Sequence, residues 1–203
     1  MLLGRLGKFL HVEDQGAVLA ALATLAHFHL EDEKAGKQGG DTDRDLFSGK
    51  RIDKLLGLVC LNVVTLVSVG QGMTAEEWGG RAEQVRLASK VLRAVKDHGK
   101  EVYMASPEGV SGMKNLVRKL EKLAAEEEGE GSGRLLREGV RFALALSPAK
   151  GMAMVKPVAG LVEVMQRALA REICGGDNGL IEGELAGEIL PALVVSFEMC
   201  WDG

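Results

Sequence analysis

Apolar residues recur along this chain with the spacing of an α-helix, and this periodicity constrains the fold more than any other feature. In one segment they fall at i, i+3, i+6, i+7 and i+10, which is a single helical face. The members of that face are Val85, Ala88, Val91, Leu92 and Val95. Related patterns occupy residues 113–123 and 161–169, whereas strict alternation over a strand length is scarce. The periodicity therefore predicts an all-α fold.

Short capping motifs indicate where several of these helices begin. Thr74 and Glu77 are spaced as a capping box, in which each side chain satisfies a backbone N–H of the other residue. Ser106 and Ser147 each precede a proline, the residue favoured at the first helical position. The predicted helices span residues 2–10, 14–30, 50–69, 75–97, 107–126, 134–146, 148–173 and 180–199.

The length of 203 residues suits one domain or two small lobes. An acidic, glycine-rich stretch at residues 126–133 is the candidate linker between such lobes. We predict two small helical bundles joined by this stretch, an N-terminal lobe of residues 1–126 and a C-terminal lobe of residues 134–203.

Three cysteines without a Cys-x-x-Cys spacing indicate buried thiols in a reducing compartment rather than a disulfide framework. The first residues lack the pattern of a signal peptide. The most apolar stretch, residues 55–69, falls short of the ~20 residues that span a bilayer. We expect a soluble protein whose contact with membranes is peripheral.

Motifs for catalysis or cofactor binding are missing from the sequence. It contains no glycine-rich nucleotide-binding loop and no His-Glu-x-x-His metal motif. His27 and His29 are two residues apart and point to different sides of a helix, which favours one half-buried and one solvated histidine over a metal site. Glu184 and Glu188 share a helical face, which is typical of a solvated acidic surface. We expect no enzymatic activity, no metal and no cofactor.

The formal net charge of −4 argues against a strongly basic nucleic-acid binder, but the charge is unevenly distributed. Residues 1–80 carry a net charge of −3, residues 81–122 carry +5, and residues 123–203 carry −6. The basic excess is thus confined to the middle of the chain.

Cations in this basic segment follow helical spacing in two rows. If the two helices pack antiparallel, the rows would merge into one surface able to bind an anionic membrane or the phosphates of RNA. An ordinary solvated face is the alternative. The candidate anion-binding residues are Arg86, Lys90, Arg93, Lys96 and Lys100 in the first row, and Lys114, Arg118, Lys119 and Lys122 in the second.

The first ten residues carry a smaller amphipathic pattern. Five large apolar residues fall on one helical face and two cations lie opposite, which fits an interfacial helix or a short helix docked on the core. The apolar residues are Leu2, Leu3, Leu6, Phe9 and Leu10, and the cations are Arg5 and Lys8.

Three local motifs occur in the same order as in the influenza-type matrix proteins of orthomyxoviruses. The central motif is His98-Gly99-Lys100-Glu101-Val102, followed by Ser106, Gly109 and Met113. The others are Leu56-Gly57-Leu58-Val59 upstream and Ala145, Ser147, Ala149-Lys150 and Met152 downstream. The chain resembles that family from about residue 55 to 170. The family's dense Arg-Lys cluster is diluted here, and its Cys-Cys-His-His pattern is missing, so a divergent genus such as the isaviruses fits better than influenza.

The resemblance implies a viral matrix protein, a structural component of the virion that self-polymerises beneath the envelope. It implies peripheral binding to anionic phospholipid, with Arg86, Lys90, Arg93, Lys96 and Lys100 in the matching segment. It also implies bridging to the viral ribonucleoprotein and to envelope glycoprotein tails. The expected locations are the host cytoplasm and the inner face of the plasma membrane, with the nucleus left open.

Two other functions remain open from the sequence. One is a helical RNA-binding protein of the nucleocapsid type, although one Tyr, two Trp and five Phe offer few platforms for stacking bases. The other is a helical regulator that acts by protein–protein contacts through a surface groove.

Overall fold

The structure, a computed structural model, describes residues 12–34, 47, 52–68, 72–125, 130–146, 163–167 and 170. This part of the chain contains helices and no strand, which confirms the prediction of an all-α protein. The principal helices are α1 (Val12–Lys34), α2 (Ile52–Leu66), α3 (Ala75–Ala94), α4 (Asp97–Ala105), α5 (Pro107–Ala125) and α6 (Glu130–Leu146). Residues 163–167 are also helical.

Two of the predicted capping motifs are confirmed at the beginnings of α3 and α5. The backbone N–H of Thr74 donates to the Glu77 carboxylate at 2.7 Å, and the N–H of Glu77 donates to the Thr74 hydroxyl at 3.2 Å. At α5, the N–H of Gly109 donates to the hydroxyl oxygen of Ser106 at 3.1 Å. These side chains satisfy N–H groups that have no partner within their own helix. The third motif, at Ser147, lies outside the described residues.

The helix predicted at residues 75–97 ends three residues early, at Ala94, because the chain leaves the helical conformation at Val95 and Lys96. Val95 is extended, with φ −77° and ψ 129°, and its side chain is buried. Lys96 is also extended and begins α4 without a side-chain cap. The break is associated with packing, since α4 contributes the buried side chains of Tyr103 and Met104 to the core. The helix α4 was not predicted.

Four helices form a ring in which each packs against two neighbours, in the order α2, α3, α6, α5. The diagonal pairs, α2 with α6 and α3 with α5, make no extensive contact within the described residues. The long helix α1 packs on α3 from outside this ring, and α4 packs against α2 and α5.

The helices α2 and α3 are joined across their short connection by an arginine. The guanidinium of Arg81 donates to the backbone oxygens of Leu66 at 3.2 Å and Ser68 at 2.8 Å. These carbonyls lie at the end of α2, where helical partners are lacking. The contact therefore holds the end of α2 against the early part of α3 and sets the two helices antiparallel.

The helices α5 and α2 run in the same direction. A Cβ on Gly112 would lie 4.0 Å from the Cβ of Cys60. About two helical turns further along both helices, Val67 and Leu120 both lie against Gly139 of α6. A Cβ on Gly139 would overlap a terminal methyl group of Leu120, so an alanine there would require the Leu120 side chain to shift. Since α3 runs opposite to both α2 and α5, α4 is the connection that returns the chain to the beginning of α5.

The predicted division into two lobes is not confirmed. The helix α6, assigned to the C-terminal lobe, packs chiefly against α3 of the N-terminal lobe, and both contribute to one hydrophobic cluster. Val164 and Met165 are buried in the same cluster. Residues 130–133 of the predicted linker are the first turn of α6, because Ser132 and Leu135 are buried against the bundle.

Three of the predicted helices fall largely outside the described residues. The helices at 2–10 and 180–199 do so completely, and of the one at 148–173 only residues 163–167 and 170 are described. Among the described helices, none combines the length and the apolar character needed to cross a bilayer.

Candidate anion-binding surface

The second basic row lies on the solvent face of α5. Lys114, Arg118 and Lys122 are exposed at i, i+4 and i+8, and Lys119 beside them is half-buried. The opposite face of the helix is apolar and enters the core through Met113, Leu116, Val117, Leu120 and Leu123. Packing of that face against α2 and α6 therefore fixes the direction in which the cations point.

These cations are not neutralised within the described part of the chain. No carboxylate there forms an ion pair with Lys114, Arg118, Lys119 or Lys122. Exposed Glu108 stands apart in the first turn of α5, where the positive end of the helix dipole favours it. The solvent face of α5 therefore carries an excess of positive charge, with Glu121 half-buried on the same side.

The first basic row is partly neutralised at its beginning. Arg86 forms a two-pronged ion pair with Glu83, with its Nε 2.7 Å from Oε2 and its Nη2 2.5 Å from Oε1. The hydrogen bonds from Arg86 lower the pKa of Glu83, and the same contact raises the pKa of Arg86. The charge of Arg86 is therefore largely committed to Glu83.

The rest of the first row divides between surface and interior. Lys90, Arg93 and Lys96 are exposed, and Arg93 and Lys96 each make an interaction within the protein. Lys100, predicted as a surface cation, is buried with its Nζ 3.4 Å from Asp97 Oδ1. It leaves the row because α4 is a separate helix, so the spacing along α3 no longer applies beyond residue 94.

The two basic rows do not merge into one surface by direct packing of their helices. The prediction required α3 and α5 to be antiparallel neighbours, and they are antiparallel but occupy diagonal positions of the ring. The helices α2 and α6 lie between them. Outward faces of diagonal helices point in different directions, so the row on α5 and the remnant on α3 are separate surfaces.

A charged cluster at the interface of α3 and α6 was not predicted from the sequence. Glu138 is buried, with its carboxylate 3.0 Å from Nη1 of Arg141, and Arg134 of α6 lies 3.9 Å from Glu83 of α3. Glu138 also contributes to the raised pKa of Arg86. The i, i+3 spacing of Glu138 and Arg141 was the available signal. The contacts of Glu83 with Arg134 and of Arg86 with Glu138 indicate that α3 and α6 run in the same direction.

Of the remaining candidate residues, His27 and His29 lie in α1. His27 is exposed and His29 half-buried, as predicted, and the His29 ring lies 5.6 Å from the ring of Phe47. Within the described ranges, no group of three His, Cys, Asp or Glu side chains is placed to hold a metal ion. Glu184 and Glu188 lie outside those ranges.

In comparisons with known proteins, the chain matches no family model, no curated protein and no solved structure.

Proposed function

We propose that this chain is a structural protein of the viral matrix type that binds an anionic membrane surface through α5. The observation that carries the proposal is the row of Lys114, Arg118 and Lys122, exposed on one face without ion-pair partners in the described structure. A cation near an anionic leaflet contributes about 1 kcal/mol, so three acting together supply about 3 kcal/mol of binding free energy. Such binding is peripheral and reversible, and salt weakens it.

The matrix-type assignment draws on the resemblance to orthomyxovirus matrix proteins. Its central motif, around His98 and Gly99, spans α4 and leads into α5. On this proposal the protein self-associates beneath the viral envelope and bridges the membrane to the ribonucleoprotein and to glycoprotein tails.

Lipid is favoured over single-stranded RNA as the ligand of this surface. The sequence of α5 contains no aromatic residue, and the cations project from an outward-facing helix. Proteins that bind single strands combine a positively charged groove with aromatic side chains that stack on bases. An array of lipid phosphates and carboxylates requires neither feature.

Flotation with lipid vesicles tests the proposal. The full chain is mixed with vesicles of phosphatidylcholine, with or without phosphatidylserine, and compared with the variant Lys114→Gln, Arg118→Gln, Lys122→Gln. A loss of about 3 kcal/mol predicts binding to phosphatidylserine vesicles that is ~100-fold weaker or more. The exposed side chains make no contribution to the core, so thermal unfolding of the variant should be little changed.

A matched control removes the same number of charges from α3. The variant Lys90→Gln, Arg93→Gln, Lys96→Gln should lose much less binding, because Arg93 and Lys96 already interact within the chain. Wild-type affinity of the α5 variant for phosphatidylserine would reject the proposed surface. A full chain that ignores these vesicles but shifts single-stranded RNA in a gel would instead establish the RNA-binding alternative.

A further inference from the structure

An uncharged part of α2 faces solvent around Leu61. The Leu61 side chain is 65% exposed, more than any other large apolar side chain in the described part of the chain. Leu58 on the same side is half-buried, and the hydroxyl of exposed Thr65 donates to the backbone oxygen of Leu61 at 3.0 Å. Residues 55–68 include no Asp, Glu, Lys, Arg or His. Leu61 therefore lies in the middle of an uncharged part of α2.

The helix α4 shows which side of the bundle this is. It packs against both α2 and α5, and the Tyr103 side chain reaches each of them. A Cβ on Gly57 of α2 would lie 4.0 Å from the Tyr103 ring, and a Cβ on Gly112 of α5 would lie 3.2 Å from the Tyr103 hydroxyl. Leu61 is one turn beyond Gly57, and Lys119 is two turns beyond Gly112. Both residues therefore lie on the side of the bundle that α4 covers.

Leu61 lies beside the basic row of α5 on this side. Its neighbour Cys60 is level with Gly112 of α5, and Lys114, the first cation of the row, is two residues beyond Gly112. The end of α4 lies against Gly109, about one turn before that level, so α4 does not separate Leu61 from the row. Axes of neighbouring helices are about 8–10 Å apart. The uncharged part of α2 therefore borders the cations.

Negative charge on this side is concentrated at the other end. The carboxylates there belong to the beginnings of α2 and α5 and to α4, and they are Asp53, Asp97, Glu101 and Glu108. From Lys114 onward, every exposed ionisable side chain of α5 is basic, and Glu121 is half-buried. Leu61 lies at the level where this basic part begins. The surface around Leu61 therefore combines an apolar side chain with positive charge.

We propose that Leu61 inserts into the same anionic membrane whose headgroups contact the cations of α5. This inference rests on the proposed function and adds an apolar anchor to it. Helices at a membrane interface place apolar side chains at the boundary of headgroups and acyl chains, with cations at the headgroups. A phospholipid bilayer supplies negative charge and hydrocarbon together. A nucleic acid supplies phosphates but no hydrocarbon layer, so it would leave Leu61 in water.

The charged and apolar contributions respond differently to salt. Salt screens the attraction between exposed cations and lipid headgroups. Burial of apolar surface is not an interaction between charges, so salt does not screen it. Part of the membrane binding should therefore persist at high salt, and this part should depend on Leu61.

Flotation with lipid vesicles tests the inference through a matched pair of variants. Leu61→Ser removes the anchor. Leu25→Ser makes the same change at an exposed position of α1, which within the described residues has no extensive contact with α2, α4 or α5. With phosphatidylserine vesicles, we expect about tenfold weaker binding for Leu61→Ser and a change of less than about twofold for Leu25→Ser. Equal losses in the two variants, or no loss in Leu61→Ser, would overturn the inference.

A depth measurement on the bound protein gives a second readout. An environment-sensitive fluorophore is attached to Leu61→Cys or to Leu25→Cys in a chain with Cys174→Ser and Cys200→Ser, while buried Cys60 stays unlabelled. The vesicles contain phosphatidylcholine with a spin label near the start of an acyl chain, which quenches a fluorophore at the hydrocarbon boundary. We expect quenching at position 61 and none at position 25. A bound chain without quenching at position 61 would overturn the inference.

The outcomes separate this inference from the proposed function. If Lys114→Gln, Arg118→Gln, Lys122→Gln binds like the wild type while Leu61→Ser does not, the cationic surface alone is rejected. If binding depends on the α5 cations but not on Leu61, the anchor alone is rejected. A full chain that binds no phosphatidylserine vesicles rejects both. If Leu61→Ser converts a dimer to a monomer in light scattering without changing vesicle binding, Leu61 belongs to a contact between copies and the inference is overturned.

Discussion

Replacing Gly109 with alanine should destabilise the protein, although alanine is the better helix former. Gly109 lies in the first turn of α5, where the chain has just left α4. A Cβ there would overlap the carbonyl oxygen of Tyr103 and lie 2.8 Å from its carbonyl carbon and 3.0 Å from Cα of Met104. Backbone atoms cannot rotate away, so the corner between α4 and α5 must open.

The size of this effect follows from three contributions. Overpacking of a well-packed site costs about 1–3 kcal/mol, and disturbing the Ser106 cap costs about 1 kcal/mol more. The higher helix propensity of alanine offsets about 1 kcal/mol of this loss. The net loss of unfolding free energy is therefore about 1–3 kcal/mol. Each kcal/mol lost should lower the melting temperature by ~2–4 °C.

Chemical denaturation of wild type and variant measures the difference, and Gly80→Ala is the matched control. Gly80 is exposed in α3, and a Cβ there would have no heavy atom within 4 Å. The control should be more stable than wild type by up to about 1 kcal/mol. If Gly109→Ala were as stable as Gly80→Ala, the close approach of α4 and α5 would be refuted.

Two further predictions concern ionisable groups. The hydrogen bonds from Thr74 lower the pKa of Glu77, so the stability from this contact is present above the ordinary carboxyl pKa and lost as pH falls through the lowered value. Glu77→Ala, which removes the carboxylate that accepts from the Thr74 backbone N–H, should destabilise the protein at pH 7, and a difference in denaturation that did not shrink in acid would contradict this account. Burial raises the pKa of the Cys60 thiol to about 12. With Cys174→Ser and Cys200→Ser in place, the folded chain should resist thiol reagents at pH 8 and react only after unfolding, whereas rapid labelling of the native protein would show that Cys60 is accessible.

The local sequence signals predicted the helices well where a cap or a regular apolar face determines them. The capping box at Thr74 and the Ser106-Pro107 pair located the starts of α3 and α5. The break at Val95 had no comparable signal, since no glycine or proline marks it and Lys96 provides no side-chain cap. Its origin is tertiary packing, which local propensity does not contain.

The candidate anion-binding surface was likewise predictable only in part. Periodicity placed Lys114, Arg118 and Lys122 on one exposed face, because α5 has a clear buried side. It could not predict that Lys100 is buried or that α3 and α5 are diagonal in the bundle. Both facts depend on which helices become neighbours, and helical spacing describes only the faces of each helix.

The parallel packing of α3 and α6 has a consequence for how the protein is made. The two helices are partners in space, but α4 and α5 are synthesised between them. Until α6 has left the ribosome, the side of α3 that α6 covers in the folded protein is exposed to water. Because this contact is distant in sequence, we expect the bundle to close late in folding. A nascent chain halted before Glu130 is therefore expected to expose apolar surface of α3 that α6 covers in the folded protein.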